Sequence, residues 1–124
     1  MPAAVSADDR RDAILADFAK QAKAADPAFT AFSADRGKAF WFATHTGGKP
    51  DATACTLCHT KDPTAPGQTR AGKDLKPMAV SKSPERFTDP EKVAKWFWRN
   101  CNTVLGRDCT AGEKGDIITF LASQ

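Results

Sequence analysis

Apolar side chains return every three or four residues in separate stretches of the chain, and Pro, Gly and charged residues divide those stretches. Ile14, Leu15, Phe18 and Ala22 fall at helical spacing, which predicts a helix from Ser6 to Ala25. Ser6 is its expected cap, with Asp9 three residues on, and Asp26-Pro27 breaks it. A second helix is expected from Ala34 to about Ala43, behind Ser33. Gly37 and Trp41 share one of its faces. Glycine inside a helix costs about 1 kcal/mol against alanine, a cost tolerated where another element packs on the bare backbone. Thr88-Asp89-Pro90-Glu91 predicts a strong helix start with Thr88 as cap, running to about Leu105 and closed by Gly106. Its apolar stripe is Val93, Trp96, Phe97 and Val104, and the carboxamide of Asn100 falls on that stripe. Thr110-Ala111-Gly112-Glu113 is a capping box that opens a last helix carrying Ile117, Ile118, Phe120 and Leu121. Between Thr60 and Pro84 there is no clear period, and Pro63, Pro66, Pro77 and Pro84 interrupt the chain. A stretch of that kind is unusual in a compact domain unless it wraps something. No strand pattern stands out.

Composition narrows the class. At 124 residues the chain is expected to form one domain over 1–124. With 41% hydrophobic and 27% charged residues and a net charge of +3, it is not disordered as a whole. The longest apolar run, Ala39-Phe40-Trp41-Phe42-Ala43, is far short of the roughly 20 residues a membrane-spanning helix needs. Lys and Arg are dispersed and interrupted by acids, which argues against nucleic acid as a partner. The start, Met1 to Ala7, lacks a basic region and a long apolar run, and fits a mature N-terminus with an added Met. Gly47-Gly48-Lys49 faintly echoes a phosphate loop, but the full spacing is absent.

The chemistry lies in Cys55-Thr56-Leu57-Cys58-His59, the attachment signature for c-type haem. Two thiols with two residues between them can both add to one edge of a porphyrin, and the following His59 can bind the iron from the proximal side. A thioredoxin-like dithiol would need a βαβ setting, which is missing. A zinc site using Cys101 and Cys109 would have seven residues between that pair instead of two to four. The expected cofactor is therefore one covalently attached haem c. The layout looks like the all-α cytochrome c fold, whose first and last core helices cross at a glycine such as Gly37, with Phe120 as partner. The irregular stretch after His59 then becomes a long haem-wrapping loop, and residues 1–27 an N-terminal extension. Lys49, Arg70, Lys73 and Arg86 are candidates to pair with the two propionates. Cys101 and Cys109 are expected to form a disulfide in an oxidising compartment such as the periplasm, with two buried free thiols as the alternative. For the other side of the iron, Met78, His45 and Asn100 all remain open from the residues alone. The two propionates lower the formal charge from +3 to about +1 with ferrous iron, so little global charge is left to steer a partner.

Longer segments resemble the sphaeroides haem protein (SHP) family, a divergent class of cytochromes c. They are Thr46-Gly47-Gly48-Lys49-Pro50-Asp51, Cys55 to His59, Ala65 to Lys73 around Gly67-Gln68-Thr69-Arg70, and Arg86-Phe87-Thr88-Asp89. Most specific is Arg99-Asn100-Cys101-Asn102 running to Gly106-Arg107-Asp108-Cys109-Thr110, followed by Gly112-Glu113-Lys114. The resemblance covers residues 34–124. It implies that Asn100, just before the first of two bridged cysteines, ligates ferric iron. On reduction the amide would leave, and O2, NO or CO would bind in a pocket lined by Trp96, Phe97 and Val104. In the related cytochrome c double-prime a His occupies the position of Asn100. Position 78 in the family is typically a plain apolar residue, so Met78 departs from the pattern. The resemblance also implies a dihaem cytochrome c, or another electron donor, as partner. The expected molecule is a periplasmic monomer with no assigned catalytic residue, turnover of oxygen or nitric oxide being left open. The rival function is a simple electron carrier in which Met78 stays on the iron.

Overall fold

A computed structural model of the protein describes residues 5–69 and 71–124. Its elements, in chain order, are α1 Ala7–Ala25, α2 Ala34–Phe42, α3 Thr56–His59, β1 Gly67–Gln68, β2 Asp74–Leu75, α4 Pro90–Leu105 and α5 Ala111–Ala122. The caps explain most of the boundaries. Ser6 Oγ accepts from the Asp9 backbone N–H at 3.0 Å, and Ser33 Oγ accepts from that of Arg36 at 3.1 Å. Thr110 and Glu113 satisfy each other reciprocally at 3.1 and 2.8 Å. The start of α4 differs from expectation by one residue. Asp89, not Thr88, is the cap and accepts from Glu91 N–H at 3.0 Å, while Thr88 donates its hydroxyl to the Glu85 carbonyl at 2.6 Å. Asp89 is the better cap because its carboxylate also meets the positive end of the helix dipole. Gly106 closes α4 in the left-handed region, at φ 75°.

Four of the helices share one core. Ile14 of α1, Trp41 of α2 and Val93, Phe97 and Cys101 of α4 meet the buried residues Ile117, Ile118, Phe120 and Leu121 of α5. At the centre of this contact α2 crosses α5 on Gly37. A methyl group there would run into the Asp116 carbonyl and the Phe120 side chain, so the glycine permits a backbone-to-backbone approach. Buried Asp116 fastens the same crossing. It accepts from the Ser33 backbone at 2.8 Å and from Arg36 Nε at 3.0 Å, so its charge is paired inside the fold.

The stretch between α3 and α4 holds a short antiparallel ladder that the sequence pattern does not reveal, pairing Gly67 with Leu75 and Gln68 with Asp74. Two residues per strand are too few to show a period. The following segment is tied to the core through Ala79 N–H to the Pro63 carbonyl at 2.9 Å and Val80 N–H to the Leu121 carbonyl at 3.1 Å.

Candidate functional site

Cys55 caps α3, and Cys58 and His59 lie within its single turn, so the helix itself brings the three groups together. Both thiols are unpaired and half-buried. Burial pushes the Cys55 thiol up to about 11. Burial, and after it the charge of Arg86, push His59 down to about 4, which keeps the imidazole neutral at pH 7. Neutral imidazole is the form that binds a metal. The Trp41 ring lies 5.4 Å from the His59 ring, so α2 supports the motif from the core side. Trp41 Nε1 and His59 Nδ1 are buried without a hydrogen-bond partner among the described residues. Buried polar atoms are nearly always paired, so two orphans beside the motif mark a place where the polypeptide alone is incomplete.

α4 presents two neighbouring faces. Val93, Phe97 and Cys101 are buried in the core. Trp96, Asn100 and Val104 form a second line at i, i+4 and i+8, in which Trp96 is 50% exposed, Asn100 is exposed and Val104 is half-buried. Phe97 therefore stands apart from the other expected pocket residues. Its ring meets Phe18 edge-on at 6.4 Å and stacks on Phe87 at 6.5 Å. The polar groups near Asn100 are occupied locally: Asn102 Nδ2 donates to the Trp98 carbonyl at 2.7 Å and Thr103 Oγ1 to the Arg99 carbonyl at 2.9 Å. No such bond holds the Asn100 carboxamide among the described residues.

The end of α4 is pinned from two sides. The Gly47-Gly48 turn lies directly on it. A methyl group at Gly48 would strike the Thr103 and Val104 carbonyls, and Lys49 N–H donates to the Thr103 carbonyl at 2.8 Å. These glycines serve a protein contact and not a phosphate. On the other side Cys101 and Cys109 form a disulfide with Cα atoms 5.6 Å apart. Replacing both by Ala is expected to lower unfolding stability by about 2–3 kcal/mol, because the closed loop is short. Urea denaturation of the two proteins measures this, and coincident midpoints would contradict it.

The remaining sequence candidates fall in different places. Met78 is half-buried against the core cluster. His45 is built into its loop: its backbone N–H donates to Thr53 at 2.6 Å, and its ring lies 4.5 Å from that of Phe40. Lys49 and Lys73 are exposed, and Arg70 lies outside the described residues. Arg86 differs from the exposed lysines. Its half-buried guanidinium donates to the Pro77 and Lys76 carbonyls, both at 3.1 Å. Burial pulls its pKa down, and it has no carboxylate partner among the described residues. It lines a cleft of about 690 Å³ together with Lys76, Pro77, Lys82, Lys92 and Trp96.

Paired thiols on one turn, a neutral imidazole, an exposed indole over a cleft and a half-buried cation with no carboxylate partner among the described residues fit a large flat apolar group bearing carboxylates. A multidentate metal site is not supported. No cluster of three or more His, Cys, Asp or Glu side chains that could hold a metal ion forms among the described residues, and the disulfide occupies two of the four cysteines. Sequence reasoning missed Arg11, which is buried on α1. The signal was present: a charged residue in register with the apolar stripe of Ile14, Phe18 and Ala22.

Residues 27–121 match a family described as a domain of unknown function, DUF1924. The cytochrome c-type protein SHP of Cereibacter sphaeroides is 56% identical over 91 residues, which is 73% of this chain and 70% of that protein. Cytochrome c'' of Methylophilus methylotrophus is 36% identical over 107 residues, 83% of this chain and 72% of that one. The structure of oxidized SHP, described as an oxygen-binding cytochrome c, matches with a TM-score of 0.84 at 46% identity, covering 92% of this chain and 96% of that one. Oxidized cytochrome c'' matches with a TM-score of 0.80 at 31% identity, covering 93% and 94%.

Proposed function

The chain belongs to the family of the c-type cytochromes SHP and c'', with an all-α cytochrome fold and one covalently attached haem c as cofactor, and from that premise we propose that it is a redox-gated binder of diatomic gases. When bound, haem c would supply an iron that exchanges one electron. Cys55 and Cys58 would hold the porphyrin as thioethers, and His59 would donate to the iron. Asn100 would be a second donor in the ferric state, and Trp96 and Val104, its neighbours along α4, would line the pocket on that side. Phe97 supports that pocket from the core side. Arg86 is a propionate partner, with Arg70 and Lys73 as further candidates.

The observation that carries this reading is the state of Asn100: a carboxamide in line with Trp96 and Val104, held by no hydrogen bond among the described residues while its neighbours' side chains are tied to their own turn. A free amide oxygen is a neutral, hard donor that favours Fe(III) over the softer Fe(II). On reduction Asn100 would therefore bind weakly and leave room for O2, NO or CO. Adding CO to the dithionite-reduced protein is expected to shift its Soret band, and a band that does not move would refute the reading.

In the rival reading Met78 is a permanent sixth ligand and the protein only carries electrons. Met78 already has a packing role against the core, which favours Asn100. Met78→Leu is expected to leave the ferric absorption spectrum unchanged and to alter stability by less than about 1.5 kcal/mol. Loss of low-spin ferric bands in that variant would reassign the ligand. Electrons come from a donor protein, by family resemblance a dihaem cytochrome c, and the molecule works as a periplasmic monomer.

A further inference from the structure

α1 sends one buried arginine toward the wall of the cleft. Arg11 is 4% exposed and occupies a position on the apolar stripe of its helix. Its Nη2 donates to the Pro84 carbonyl at 2.6 Å and its Nε to the Arg86 carbonyl at 3.1 Å. Nη1 pairs with Asp8 at 2.7 Å. A buried guanidinium is costly unless its donors are used, and here two of them grip the backbone of one short turn.

That turn is strained. Phe87, which follows Arg86, has φ 62°. For a bulky non-glycine residue such a conformation costs on the order of 1–3 kcal/mol and persists only where its surroundings hold it. The Pro84 and Arg86 carbonyls of the turn accept from Arg11, while the Arg86 side chain donates to the Lys76 and Pro77 carbonyls and lines the cleft with Trp96. Arg11 thus fixes a backbone, and the backbone fixes a charge.

We propose that Arg11 is a positioning residue for the haem site: by holding the strained Pro84–Phe87 turn it keeps the Arg86 guanidinium on a haem propionate, and so raises the reduction potential. The proposal rests on the assignment of Arg86 to a propionate made above. A cation near the iron favours the ferrous state, which carries one positive charge fewer, so moving it away lowers the potential. Arg11 acts only through Arg86, so the two effects are not additive.

A double-mutant cycle with spectroelectrochemical titration tests this. Arg86→Gln is expected to lower the one-electron reduction equilibrium about three- to tenfold, a fall of roughly 30–60 mV. Arg11→Met should produce a smaller fall of the same sign, and Arg11→Met added to Arg86→Gln should produce no further fall. Arg11→Lys keeps the charge but loses the two-pronged grip, so it should lie between Arg11→Met and the unmodified protein. It also serves if Arg11→Met does not fold. An unchanged potential in Arg11→Lys and Arg11→Met, with only a lower melting temperature, would make Arg11 merely structural and overturn the proposal. Equal falls with and without Arg86 would overturn it too, and so would an unchanged potential in Arg86→Gln. The gas-binding reading fails separately, if the unmodified reduced protein ignores CO, and the potentials stay interpretable in that case.

Discussion

Asn100→Ala gives a ferric protein with an open, high-spin iron and takes up added cyanide with an apparent affinity about ten- to a hundredfold higher. The magnitude follows from competition. If the amide occupies the ferric site for 90–99% of the time, an external ligand sees only the remaining fraction, and removing the amide returns that factor. The fold should be almost unaffected. Asn100 is exposed, no hydrogen bond ties its side chain to the described residues, and alanine is the better helix former. In the reduced protein, where the amide is off the iron, a change of this kind moves stability by about 0.5 kcal/mol or less. The combination is diagnostic: a large change in ferric ligand binding with little change in the unfolding midpoint of the ferrous form. A ferric spectrum identical to that of the unmodified protein would remove Asn100 from the iron.

Gly37→Val is expected to disrupt the fold itself. The crossing of α2 on α5 leaves no room for a side chain, and what a side chain meets first is the Asp116 carbonyl, which cannot rotate away. Asp116 is in turn held by Ser33 and Arg36, so the clash spreads into a paired buried charge. Overpacking against mobile side chains costs about 1–3 kcal/mol, and backbone obstruction belongs at or above the upper end of that range. For a chain of this size that corresponds to a fall in melting temperature on the order of 10 °C or more. The same displacement moves Trp41, which lies four residues on and packs against His59, so haem retention should suffer with it. Gly37→Ala should show the same effects in milder form. A melting temperature within 2 or 3 °C of the unmodified protein, as roughly expected for a surface change, would mean that the crossing has slack.

Much of this architecture was legible because it rests on local rules. Ser6, Ser33 and the Thr110–Glu113 box mark helix starts through hydrogen bonds between neighbours in sequence, and they are found where expected. Gly37 was legible as a close-packing site, with Phe120 as the expected partner, and the Phe120 side chain is indeed among the atoms an added methyl would meet. Thr88 and Asp89 are both good caps, and the charge of Asp89 together with the bond from the Thr88 hydroxyl to the Glu85 carbonyl separates them. The faces of α4 are harder. Trp96 and Phe97 are adjacent and both apolar, so periodicity cannot tell which one meets the protein core and which stays at the cleft. The ladder at Gly67–Gln68 is set by long-range pairing and has no local signature. At the candidate site, Cys55, Cys58 and His59 stand out by spacing alone. Asn100 was singled out as an oddity by the stripe and as an iron ligand only by family resemblance. Arg11 carried a signal in its place on the apolar stripe, but its partners come from a distant part of the chain, so the stripe alone does not say what it binds.

The central claim is that Asn100 binds ferric iron and releases ferrous iron. The most direct measurement is the spin state of the unmodified protein before and after reduction, followed without added gas by absorption and magnetic circular dichroism. The predicted result is low-spin in the ferric form and high-spin in the ferrous form, restored on reoxidation. A protein that is low-spin in both states would contradict it and identify a permanent sixth ligand.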